Sequence, residues 1–207
     1  MKRIVEIDLL RTIAIIMMVV YHAAYDLYVF YDWNFDLWGE NWQTFRVMTA
    51  SLFLIVSGIA VNFSTRSLKR ALIVLACALL ISAVTYLYDP RTFIYFGILH
   101  CIGLGMMLLI PLRKLKELNI LIGIAILTLL PTPNAPFPTL DYYPLLPWFG
   151  LMMIGAGLGH YLYIRNDLRI FRFPLSVFSF PARNALLIYM VHQPILLGIL
   201  WIIRPYT

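Results

Sequence analysis

Arg11 and His22 stand eleven residues apart within one apolar run, IDLLRTIAIIMMVVYHAAYDLYVF. An ionisable side chain at membrane depth costs about 2.5–3.5 kcal/mol even on the lenient insertion scale, so such groups face a protein interior, a cavity or a partner. At 100° per residue, eleven steps return to within about 20° of the starting direction, which puts both side chains on one helix face, roughly 16 Å apart along the axis. Asp8 lies one turn below Arg11 and Asp26 one turn above His22. An imidazole titrating near neutrality is the usual general base, and an acid one turn away can orient the ring and stabilise its protonated form. Two bland readings stand beside this one: an interfacial Asp8–Arg11 ion pair, and a His22–Asp26 pair satisfied against a neighbouring helix.

Further polar groups fall at comparable depth. Arg46 lies near the outer boundary of the second apolar run, where it could neutralise Asp26 or bind a substrate anion. His100, and His192 with Gln193, fall near the middle of later runs and must face inward. They are candidate substrate contacts and oxyanion donors, as are Tyr21, Tyr25, Ser57, Asn62 and Tyr189. His160, close to the inner boundary, reads as a snorkelling or capping residue. No two of the four histidines are spaced i,i+3 or i,i+4, so no metal site is expected.

The elements that must carry these residues follow from composition. The 207 residues are 62% hydrophobic and 13% charged, against roughly 25% charged in soluble domains. About seven apolar runs approach the ~20 residues a spanning helix needs, near 5–31, 43–64, 70–88, 93–112, 116–130, 145–164 and 182–203. The expected fold is all-α, a polytopic integral membrane bundle forming one domain over 1–207. The run near 116–130 is the shortest; if it does not cross, the topology downstream inverts.

Basic residues fall in alternate loops: Lys2 and Arg3; Arg66, Lys69 and Arg70; Arg113, Lys114 and Lys116; Arg165, Arg169, Arg172 and Arg183. The positive-inside rule places these in the cytoplasm, the N-terminus inside and the C-terminus outside. YDWNFDLWGENW and the Pro-rich 131–147 loop, without Lys or Arg, face outward. That bias and anionic lipid headgroups account for the net charge of +6 without a nucleic-acid partner. The first run is too long and too charged for a cleaved signal peptide. Cys77 and Cys101 form no metal or redox spacing.

The segment IDLLRTIAIIMMVVYH, an R-x10-H pattern, resembles the opening motif of membrane acyltransferases, both acyltransferase family 3 and the relatives of heparan-alpha-glucosaminide N-acetyltransferase. TASLFLIVSGIAVNFS, FGILHCIGLGMMLL and ARNALLIYMVHQPILLGI are similar to later core helices of the second group, in the same order. The resemblance implies a multi-pass cell-membrane acyltransferase. It would take acyl-coenzyme A, most simply acetyl-coenzyme A, from the cytoplasm and acylate a hydroxyl or amine of a sugar on the far side. His22 would then be catalytic with Asp26, and Arg11 would serve donor binding. Arg172 and Arg183 suit the donor's phosphates bidentately, or act only as topology determinants. Larger members have ten or eleven spans, so a second copy could complete the pocket as a homodimer. A small proton-coupled transporter and a non-catalytic scaffold are the competing readings; the paired broken helices of transporters are not visible in the sequence.

Overall fold

The computed structural model describes residues 4–169 and 176–203. All regular elements among them are helical, apart from one isolated bridge between Phe96 and Tyr142. The helices are α1 (Val5–Tyr31), α2 (Glu40–Val61), α3 (Ser67–Tyr88), α4 (Ile98–Leu112), α5 (Leu118–Leu129), α6 (Leu145–Gly159), α7 (Ser176–Arg183) and α8 (Ala185–Ile203). A 3-10 turn, Arg113–Leu115, extends α4, and a π-helical turn, His160–Arg165, extends α6. Helices satisfy their own backbone groups, as hydrocarbon requires. Six are long and apolar enough to cross a bilayer: α1, α2, α3, α4 with its turn, α6 with its turn, and α8.

The expectation of about seven long spans is thus met by six, plus the 12-residue α5. At 1.5 Å per residue α5 is about 18 Å long, short of a hydrocarbon core of about 30 Å. Its limits are local. Lys116 takes a left-handed conformation (φ 52°) just before it, and Leu130, extended at φ −103° and ψ 125°, precedes Pro131, which disfavours helical geometry in the residue before it.

The chain forms two compact units. The first comprises Met1–Ile7 and Phe53–Arg172. Within it α6 is the spine, because its glycines admit neighbours at backbone distance. A Cβ on Gly123 of α5 would stand 2.5 Å from the Gly150 carbonyl oxygen, and one on Gly150 would stand 2.6 Å from that of Gly123. On another side Gly155 faces the Ile55 carbonyl of α2, and Gly58 faces that of Met152. Asn62 Nδ2 donates to the Ala156 carbonyl at 2.8 Å across the same seam.

These contacts fix direction. Asp141 accepts the Ile98 amide at 2.9 Å, and Tyr143 N–H donates to the Phe96 carbonyl at 3.0 Å, so α4 and α6 begin at one end of the unit. At the opposite end Asn119 Nδ2 donates to the carbonyls of Leu112 and Lys116, at 2.9 and 3.1 Å. There, too, Glu117 meets His160 at 3.1 Å and Arg165 at 3.5 Å. The segment from α5 through 130–140 therefore traverses the layer that α4 and α6 traverse, despite the short helix. Arg113, Lys114, Lys116 and Arg165 gather at one end, and Asp141 at the other.

The second unit joins the two ends of the chain, Asp8–Leu52 and Phe173–Thr207. Helices α1 and α8 run parallel, tied at three heights: Arg11 to the Ala182 carbonyl just before α8, His22 against His192, and Tyr31, whose hydroxyl donates to the Leu200 carbonyl. The α1–α2 turn is closed by aromatics, Tyr21 and Phe35 against Trp42 with ring centroids 6.3 and 5.8 Å apart. Leu37 is fully buried beneath it, and Gln43 donates to its carbonyl at 3.2 Å.

Candidate active site

Within the second unit two imidazoles meet edge to face, His22 on α1 and His192 on α8, with centroids 4.7 Å apart and planes at 82°. Each ring is fixed by a carbonyl of its own helix. His22 Nδ1 lies 2.9 Å from the Met18 carbonyl oxygen, and His192 Nδ1 lies 2.6 Å from that of Tyr189. A carbonyl only accepts, so both Nδ1 atoms carry the proton and both neutral rings hold their lone pair at Nε2.

One step outward, Gln193 Nε2 donates to Asp26 Oδ1 at 2.6 Å. Asp26 has no exposed surface, and its Oδ2, Gln193 Oε1 and His192 Nε2 are buried without a hydrogen-bond partner among the described residues. Asp26 therefore does not orient His22 as the sequence suggested; the Met18 carbonyl does. Nor does Arg46 neutralise Asp26: its Nε donates to Gln43 Oε1 at 3.1 Å, one turn back on its own helix.

Arg11, toward the other end of α1, lies 3.7 Å from Asp8 and 3.5 Å from the Ala182 carbonyl. Both ion pairing and attachment to the α7–α8 junction occupy it. The exposed Arg183 follows Ala182 directly. Arg172 lies outside the described residues.

His100 belongs to the first unit, and both its ring nitrogens are engaged. The Gly97 amide donates to Nδ1 at 3.2 Å, which places the ring proton on Nε2, 3.3 Å from Ser82 Oγ. The Ser82 hydroxyl in turn donates to the Ile94 carbonyl at 2.5 Å. The ring caps the start of α4 and holds the preceding loop against α3. This is the tautomer opposite to that of His22.

Sequence reasoning missed the carbonyls of Met18 and Tyr189 as orienting groups. Any helical histidine can reach a carbonyl three or four residues back, so the pattern alone gave no signal. The approach of His22 to His192 is a contact across 170 residues, which no local periodicity encodes.

Fold and site define a multi-pass helical membrane protein with a half-buried histidine, His22, against a buried one, His192, beside a carboxylate–amide pair. The family model for the catalytic region of heparan-alpha-glucosaminide N-acetyltransferase matches residues 3–194, and the chain belongs to that family. The matched stretch contains His22, Asp26, His192 and Gln193. No curated protein and no solved structure matches the chain.

Proposed function

We propose that the protein is a membrane-bound acyltransferase that moves an acyl group, in the simplest case acetyl, from cytoplasmic acyl-coenzyme A to a hydroxyl or amine of a sugar on the outer side. The observation that carries the reading is the His22 ring, held by the Met18 carbonyl in the tautomer that presents a basic Nε2 inside a bundle whose family is named for N-acetyl transfer. In the reaction His22 Nε2 takes the proton of the attacking O–H or N–H as the new bond to the acyl carbon forms. The carbon–sulfur bond of the thioester breaks, and the thiolate leaves to be protonated as coenzyme A. The tetrahedral oxyanion between these steps needs a hydrogen-bond donor, a place for which Tyr21, Tyr25 and Tyr189 are the candidates within this unit. Arg11, with Arg183 and Arg172, would hold the donor's phosphates, and the flexible pantetheine arm would cover the roughly 16 Å along α1 to His22. Gln193, bonded to Asp26, would contact the substrate, and Arg46 would do so on leaving Gln43; His100, with both ring nitrogens engaged at the start of α4, takes no such role.

The test is transfer of labelled acetyl from acetyl-coenzyme A to sugar acceptors by purified protein, wild type against His22→Ala. The variant is expected to lose about 10²–10⁴-fold in kcat, the usual contribution of a general base, while its elution profile stays that of folded protein. Undiminished transfer would remove His22 from the chemistry.

A further inference from the structure

Beyond the base lies a polar cluster whose hydrogen-bonding inventory does not balance. Asp26 Oδ2, Gln193 Oε1 and His192 Nε2 are all buried and unpartnered, and in the states fixed by their existing bonds all three are acceptors. Asp26 has no exposed surface and His192 is 8% exposed. No cation compensates: Arg46, on the neighbouring α2, is turned to Gln43, and Asp26 forms no ion pair among the described residues. Leaving one such group without a donor costs about 1–3 kcal/mol, more for a charged one. Three buried acceptors short of donors, on adjacent α8 residues and on the Asp26 that Gln193 bonds, define what would satisfy them.

We infer that Asp26, Gln193 and His192 form a subsite for a group that brings only N–H or O–H donors, an ammonium or a vicinal pair of hydroxyls. The inference rests on the transferase reading only in naming the occupant, which would be the acyl acceptor held beside His22. Asp26 is then an anchor for that substrate rather than the orienting acid of the base. An anionic or acceptor-only group is excluded by the same inventory, since it would face three lone pairs and a carboxylate.

Three probes on one ring separate the sources of donors: cyclohexylamine carries the ammonium, trans-1,2-cyclohexanediol the hydroxyl pair, and cyclohexanecarboxylate neither. Binding to the full-length detergent-purified protein is read by saturation-transfer NMR titration and by melting temperature. The amine, the diol or both are expected to bind and the carboxylate to fail, and whichever binds identifies the donor. Asp26→Asn keeps the shape and the acceptor for Gln193 while turning one unpartnered acceptor into a donor, and should weaken the bound probe about tenfold. His192→Gln, which sets an amide where Nε2 stood, should do the same if Asp26→Asn proves unstable. Binding of no donor probe, equal binding of the carboxylate, or probe affinity unchanged in the variants would overturn the subsite. Coenzyme A is titrated in parallel. Probe binding without coenzyme A binding would leave the subsite and remove the transferase, and the reverse would remove the subsite alone.

Discussion

At the scale of the residue, the most consequential atoms are backbone oxygens. Met18 and Tyr189 decide which nitrogen of each histidine is basic, and a pair of side chains does not. Arg11, His22, Asp26 and His192 stand out in the sequence because they are ionisable groups in apolar runs. Their pairings were not, because one turn of helix offers a histidine a carbonyl and a carboxylate at similar reach. Arg11 illustrates the ambiguity, touching both Asp8 and the Ala182 carbonyl. If it also holds the donor, Arg11→Ala should raise the apparent KM for acetyl-coenzyme A about tenfold, the loss of one charge-assisted contact, with kcat little changed. A lowered melting temperature at unchanged KM would leave Arg11 to the ion pair alone.

Among the elements, α5 shows how composition misleads about length. Its run is apolar enough to suggest a span, yet Lys116 and Pro131 confine the helix to 12 residues. What secures it is glycine packing on α6 and the meeting of Glu117 with His160 and Arg165. The Glu117 carboxyl is held below its ordinary value of 4.5, chiefly by its own backbone amide, with His160 and Arg165 adding to the effect and partial burial opposing it. A carboxylate with a depressed folded-state pKa stabilises fully above its unfolded value, and that stabilisation is lost as pH falls through the folded one. The melting-temperature advantage of wild type over Glu117→Gln should therefore shrink on acidification below about pH 4.5. An advantage independent of pH in that window would show that the carboxylate's charge contributes nothing.

For the whole molecule, the alternation of basic loops is the feature from which an orientation is expected. Within their unit α1 and α8 are parallel, and within the other α4 and α6 begin at one end. Alkaline phosphatase fused after Ile203 should be active outside the cell, and the same enzyme fused after Lys116 inactive. The opposite pattern would reverse donor and acceptor sides. The division into two units left no trace in the sequence, because one of them joins Asp8–Leu52 to Phe173–Thr207, and a local pattern carries no record of so distant a partner.

That joining of ends sets a timetable for synthesis. The bond between Asp26 and Gln193 spans 167 positions, and that between Arg11 and Ala182 spans 171. At the usual 5–20 residues per second of translation, α1 waits about 10–30 s for α8 to arrive. Throughout that interval Asp26 lies in or beside the bilayer without its amide. The first helix should therefore be sheltered by the insertion machinery until the last is made, and ribosome-bound chains arrested before Ala185 should crosslink through α1 to that machinery while full-length chains do not. Equal crosslinking of both would mean that α1 leaves for the lipid unaccompanied.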